Sequence, residues 1–232
     1  MKTIAVLQHT DSEYLGLLED HLEGRSIRFA YLRPFAPGAR LPATAEGYDG
    51  LVILGAGPRG VVSGDLLASL GAELRLAADF LARDLPVIGI GIGSAILALA
   101  AGGGAEEAPL RFVVGTARLV DAGALGGHLP ETWPYALYMR DRPVPPTGAR
   151  ILARDDEGAP ALFAVGARSF GFLSHPGVKT GMVEDLIMEF DEVPEGTAER
   201  LAELRRMQPE IAAALAPIMA GLIGATGLMA AD

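Results

Sequence analysis

There is no cysteine in this chain. Its absence excludes disulfides, thiolate metal centres and a cysteine nucleophile together. Lysine is nearly missing too, with only Lys2 and Lys179, and the formal net charge is -10. Phosphate-rich partners are held by clustered Lys and Arg, so this balance argues against nucleic acid and an anionic membrane surface. The histidines His9, His21, His128 and His175 show no metal-ligand spacing, and no cofactor is expected. Internal repeats and low-complexity tracts are absent. What remains is apolar: 50% of the 232 residues are hydrophobic, enough for one large α/β domain or two small ones. Met1-Lys-Thr3 runs directly into the apolar stretch Ile4–Leu7 with no signal core behind it, which predicts a cytoplasmic protein.

Along the chain, apolar runs alternate with turn residues. Thr3–Leu7 reads as a buried central strand. Tyr14, Leu15, Leu17, Leu18 and Leu22 recur at helical spacing up to Gly24. Ile27–Leu32 and Gly50–Leu54 read as strands, the second breaking into Gly55-Ala-Gly-Pro-Arg-Gly60, and a helix is predicted over Leu66–Arg83. Then come a strand, a glycine turn and a helix within Leu85–Gly103, with Gly102-Gly-Gly104 read as the helix stop. Beyond it, Arg111–Leu119, Tyr135–Met139, Arg150–Ala153, Leu162–Val165 and Ser169–Leu173 read as strands at hairpin-like distances. His128 and Trp133 fall in a loop, and Glu106, Glu107, Asp155, Asp156 and Glu157 in solvated turns. From about Val183 the chain reads as helical, with Thr197–Met207 amphipathic.

Ile211–Ala231 carries no charge over a length sufficient to cross a bilayer. Its alanines, Gly221, Gly224, Gly227 and Pro217 contribute little transfer energy, however. Small residues let helices approach closely, so a helix docked on the domain or on a second copy is expected rather than a membrane span. The element order predicts an α/β fold: a mostly parallel, doubly wound sheet flanked by helices, with a smaller antiparallel part and a C-terminal helical tail. The expected division is a domain over 1–190 and a helical extension over 191–232.

Three segments carry a resemblance. Leu54-Gly-Ala-Gly-Pro58 ends the third strand; Pro86-Val-Ile-Gly-Ile-Gly-Ile-Gly93 has the layout of a nucleophile elbow; Gly171-Phe-Leu-Ser-His-Pro-Gly177 ends a late strand. Together with Leu7-Gln-His9 and Pro145–Ala153, their ordered set resembles class I glutamine amidotransferase domains, closest to the stand-alone GMP-synthase-like members, over about residues 1–190. The resemblance implies a flavodoxin-like fold. It also implies a Cys nucleophile, a His base, a Glu orienter, and oxyanion donors from the glycine loop and the residue after the Cys. Carried over, Gly91 stands in the Cys place and Gly177 in the Glu place, and of the triad only His175 remains. Gly55, Ala56, Gly57, Ile92 and Ser94 occupy the ligand-facing positions.

Each of these residues has a plainer reading beside the functional one. His175 reads first as a His-Pro strand end and second as a residual base. Ser94 reads as a first-turn serine, not a substitute nucleophile. Ser174 and His175, adjacent on a strand, are expected on opposite faces. The Gly55–Gly60 loop is either an anion cradle or a tight turn. Three functions compete. The first is a degenerate domain without ordinary glutaminase activity, serving as a noncatalytic subunit or scaffold for a partner enzyme or for itself. The second is a repurposed enzyme in which a water and His175 act on a small acyl or amide substrate. The third is a module that binds glutamine or a similar small amino-acid-like ligand without turnover.

Overall fold

The computed structural model describes residues 1–229; Ala230, Ala231 and Asp232, the end of the apolar tail, lie outside the described residues. The strands are β1 (Thr3–Leu7), β2 (Arg28–Leu32), β3 (Gly50–Ile53), β4 (Val87–Ile90), β5 (Gly104–Glu106), β6 (Arg111–Leu119), β7 (Thr132–Met139), β8 (Arg142–Val144), β9 (Arg150–Arg154), β10 (Pro160–Val165) and β11 (Ser169–Phe172). The helices are α1 (Leu18–Glu23), α2 (Leu70–Ala82), α3 (Ile92–Ala100), α4 (Thr180–Glu189) and α5 (Thr197–Thr226). Nine strands form one sheet in the order β2-β1-β3-β4-β11-β10-β9-β6-β7, and β5 pairs with β8 in a small antiparallel sheet. From β2 to β11 neighbouring strands run parallel, and from β11 to β7 they run antiparallel. This is the doubly wound α/β arrangement expected, with the antiparallel part grafted onto the parallel sheet at β11.

The parallel centre is built from short, continuously apolar strands. β3 and β4 are buried at every position, as strands covered on both faces must be. Helix α3 lies directly on them because Gly89 and Gly93 carry no side chain: a Cβ at Gly89 would come within 2.6 Å of the Gly93 carbonyl carbon, and one at Gly93 within 2.7 Å of that of Ile53.

The antiparallel half alternates. On β6 and β7, Phe112, Val114, Ala136 and Tyr138 join one buried cluster, while Ala117, Trp133, Tyr135, Leu137 and Met139 join the main core. Helix α5 contributes Leu204 and Ile211 to the first cluster and Leu215, Ile218, Met219 and Leu222 to the second. It therefore passes from one face of the sheet to the other at β7 and covers that edge, which would otherwise present unpaired backbone groups. By length and composition α5 could cross a membrane, its most apolar window having a mean hydropathy of 1.4. Helix α5 packs on β6, β7 and the turn between them. Gly221 lies against the 3-10 turn Ala124–Gly127, where an added Cβ would meet the Leu125 carbonyl oxygen at 2.5 Å.

Several local expectations are corrected. Trp133 lies in β7 and is buried, because its strand is sandwiched between β6 and α5. Asp155 is buried rather than solvated: it accepts the Glu157 and Ala159 N–H groups at 3.0 and 2.7 Å and closes the β9–β10 turn. Helix α2 starts at Leu70, not Leu66, since residues before it are held as a loop. That loop is pinned by Asp141, buried and at φ +60°, whose carboxylate accepts the N–H groups of Val61 and Val62 at 2.8 and 2.9 Å. The Tyr14–Leu22 periodicity yields a helix only from Leu18, because Tyr14–Leu17 is drawn over the end of β11 instead.

Candidate functional site

The carboxyl ends of β1, β3, β4 and β11 converge, as ligand sites in open α/β sheets do. Strand β4 turns sharply at Gly91 into α3. Gly91 has φ +58° and ψ −125°, a conformation that side-chain-bearing residues adopt only under strain. Its N–H donates to the Phe172 carbonyl at 3.0 Å, tying the elbow to β11. Space exists for a side chain, the nearest neighbour of an added Cβ being Gly55 Cα at 3.6 Å. Ile92 is buried at the head of α3, and Ser94 is buried in its first turn. The Ser94 hydroxyl donates to the Gly91 carbonyl at 2.6 Å and so braces the elbow from within.

Ser174 and His175 lie beyond the last residue of β11, so the strand alternation expected for them does not apply. Both border the same small cavity as Gly91. The His175 Nε2–H donates to the Tyr14 carbonyl at 2.8 Å, and Nδ1 accepts the Gly177 N–H at 3.1 Å. Both ring nitrogens are thus taken by backbone. Burial pushes His175 down to about 4, so the ring is neutral around pH 7. Gly177 is packed under α1: its carbonyl accepts the Leu17 N–H at 2.9 Å, and an added Cβ would overlap the Leu18 side chain and sit 3.0 Å from Leu18 N. Leu18 therefore fills the space that a longer side chain at position 177 would need.

The glycine loop after β3 is held from two sides. His9 Nδ1–H donates to the Gly55 carbonyl at 2.9 Å, and Nε2–H donates to the Glu73 carboxylate at 2.9 Å, with Ser69 donating to the same carboxylate at 2.5 Å. Both side chains are fully buried. Burial pushes His9 down, but the Glu73 carboxylate and the bonds to Glu73 and Gly55 outweigh it and hold His9 above its ordinary value. Burial likewise pushes Glu73 up, while His9 and Ser69 hold it below the usual carboxylate range. The pair is a buried histidine–carboxylate brace for Gly55.

From the other side, Glu13 reaches out of the β1–α1 loop. Its Oε2 accepts the Gly57 N–H at 2.5 Å, and its Cδ lies 2.6 Å from where a Cβ on Gly55 would be. Burial pushes Glu13 up to about 7, opposed by the Gly57 N–H and His9 and reinforced by Glu189. Glu13, Gly91, Ser174 and His175 border a cavity of about 20 Å³ whose other walls are aliphatic and aromatic side chains including Phe112, Tyr138 and Leu186. That is room for about one water. Ala56, between the two glycines of the loop, is buried. Among the described residues no group of three or more His, Asp or Glu is placed to hold a metal ion.

The sequence motifs thus place Gly55, Gly57, Gly91, His175 and Gly177 around one point. Sequence reasoning missed Glu13, and it noted His9 only as part of a motif without its Glu73 partner. A signal existed for Glu13, an acidic residue shortly after a buried first strand, where βα loops face the ligand side. For Glu73 there was none, since only tertiary packing brings α2 onto His9.

Strand order, elbow and glycine loop together define the class I glutamine amidotransferase fold. The chain is similar to a glutamine amidotransferase from Methylobacillus flagellatus, with 22% identity and a TM-score of 0.82 over 97% of this chain and 95% of that one. It is also similar to a glutamine amidotransferase from Thermotoga maritima (19%, 0.80, 99% of each chain). A third likeness is to a protein assigned as a GMP synthase subunit from Thermoplasma acidophilum (19%, 0.60, 90% of this chain and 98% of that one). No protein-family model and no curated protein matches the chain.

Proposed function

We propose that this chain is a catalytically silent protein of the glutamine amidotransferase fold, without ordinary glutaminase activity, and that it serves as a noncatalytic subunit or scaffold of a partner enzyme. The observation that carries this reading is the elbow itself. Gly91 offers no nucleophile, and the cavity beside it, about 20 Å³, has room for about one water. The rest of the machinery is disabled in parallel. His175 has both nitrogens engaged by backbone, and Leu18 fills the space beside Gly177. Removing the nucleophile of a hydrolase costs on the order of a million-fold in rate, and further losses in the same unit add little. A fold similar to a protein assigned as an enzyme subunit supports the partner part of the reading.

Two measurements test it. Purified protein incubated with glutamine should release glutamate no faster than buffer. Turnover that follows the protein through purification and disappears in His175→Ala would overturn the silent-domain reading. Affinity purification at native expression should return a partner enzyme in near-equal amount. Recovery of the chain alone, with no enzyme bound, would overturn the subunit role.

A further inference from the structure

A second, larger recess lies on the other side of β1 from the elbow. It is an open cleft of about 400 Å³. The loop between β2 and β3 supplies Phe35, Arg40 and Leu41 to its walls, and the loop between β3 and α2 supplies Arg59 and Leu67. Ser69 and Ala72 bring the head of α2 to it. The cleft therefore opens at the carboxyl ends of β1, β2 and β3, where open α/β sheets receive ligands. It shares no wall residue with the cavity beside Gly91.

Its charge runs against that of the chain. The protein carries a net charge of -10, yet no Asp or Glu lines the cleft. Glu73, the acid in the first turn of α2, is turned inward, its carboxylate taken by His9 and Ser69. Arginines elsewhere use their donors within the fold: Arg83 and Arg142 on carboxylates, Arg140 and Arg168 on carbonyls. Arg40 and Arg59 donate a hydrogen bond to nothing among the described residues. Asp65 lies 3.6 Å from Arg59 Nε, beyond hydrogen-bond reach, and its side chain is 84% exposed. The Phe190 ring holds the Arg59 guanidinium at 5.8 Å without using its N–H groups. Two sets of guanidinium donors thus face one cleft unpaired.

We propose that this cleft binds a small phosphate monoester, with Arg40 and Arg59 on the phosphate and Phe35, Leu41 and Leu67 against the organic group it carries. The planar fork of a guanidinium matches phosphate oxygens, and two such cations suit a dianion. The first turn of α2, a helix of 13 residues, adds a favourable field for negative charge at the same wall. The cleft is larger than a phosphate needs and lies within the range of small-molecule sites. The Phe35 side chain, 37% exposed, offers an apolar face for the remainder. The site is separate from the elbow, so it holds whether or not the chain hydrolyses glutamine or docks on an enzyme.

The experiment is a titration of the full-length, ¹⁵N-labelled protein with phenyl phosphate and with inorganic phosphate. It is run at constant ionic strength and about pH 8, where both are dianions, with chloride as the control. Phenyl phosphate should bind in a saturable manner and several-fold more tightly than inorganic phosphate, moving the Ser69 and Ala72 amides and leaving Gly91 still. Arg40→Gln and Arg59→Gln should each weaken it by at least roughly tenfold, the loss of a charge-assisted hydrogen bond. A folded wild-type protein that does not bind phenyl phosphate overturns the proposal. So does binding that survives both substitutions, or that moves Gly91 and not Ser69. Inorganic phosphate binding as tightly as phenyl phosphate overturns the place assigned to the organic group. Should Arg59→Gln fail to fold for want of its contact with Phe190, Arg40→Gln carries the test, because Arg40 is exposed and has no partner among the described residues.

Discussion

At the scale of single residues, two positions carry most of the chemistry. Gly177 is locked beneath α1, and an added Cβ meets both the side chain and the backbone nitrogen of Leu18. Backbone cannot yield as a flexible side chain does. Gly177→Glu should therefore destabilise the protein by about 1–3 kcal/mol, the usual cost of overpacking a filled site, read from the urea midpoint. The double variant Gly91→Cys/Gly177→Glu should still release no glutamate, because Leu18 occupies the room the new carboxylate needs and His175 stays tied to Tyr14 and Gly177.

Glu13 should make stability depend on pH. Its folded value of about 7 lies above the ordinary 4.5. A raised acid binds its proton more tightly folded than unfolded. The stabilisation is therefore complete below about pH 4.5 and is lost as pH rises through about 7. Glu13→Gln has no such loss. It should match the wild type near pH 4.5 and exceed it at pH 8.5 by on the order of 3 kcal/mol, measured by urea unfolding at both values. An equal difference at both pH values would count against a buried, titrating Glu13.

At the scale of elements, the strands and the elbow were legible because their signals are local. Leu85–Ala101 announces a buried strand, a glycine turn and an apolar helix without any partner. The strands Arg111–Leu119 and Ser169–Phe172 follow from apolar content and turn spacing. Trp133 was misplaced because Pro134 reads as a loop residue, whereas β7 is an edge strand and tolerates it. Helix α5 belongs to this scale as well. Its Gly221 sits where an added Cβ would meet the Leu125 carbonyl oxygen at 2.5 Å, Leu125 Cβ at 2.7 Å and His128 Cβ at 2.9 Å. Gly221→Val should push the helix off the turn at Ala124–Gly127 and cost at least about 1–3 kcal/mol. Hydrogen exchange should show the loss concentrated in β7 and the second half of α5. Uniform loosening across the sheet would mean that the contact is not local.

At the scale of the whole molecule, α5 joins two apolar clusters on opposite faces of one sheet and seals the edge at β7. Ending the chain after Glu210 would uncover Trp133, Tyr135 and Leu137 along with that edge. An uncovered, apolar edge strand is a template for pairing with another chain. The truncated protein should therefore self-associate while the full chain does not gain mass under the same conditions, as light scattering across a concentration series would register. A truncated chain that stays at the full-length association state would show that α5 is not what protects the edge.

The amino-acid sequence by itself determined the fold class, the glycine elbow with Gly91 at its tip and the glycine loop, because each rests on neighbours within a few positions. Strand burial, helix periodicity and turn chemistry are properties of short segments. Only the tertiary structure decided what surrounds the elbow and the glycine loop. It placed Leu18 against Gly177, turned both nitrogens of His175 to backbone, set His9 on Glu73 and laid Glu13 across Gly57. Apart from the His175–Gly177 bond, those contacts join residues far apart in the chain, and they arise from how helices seat on the sheet. No local period encodes them.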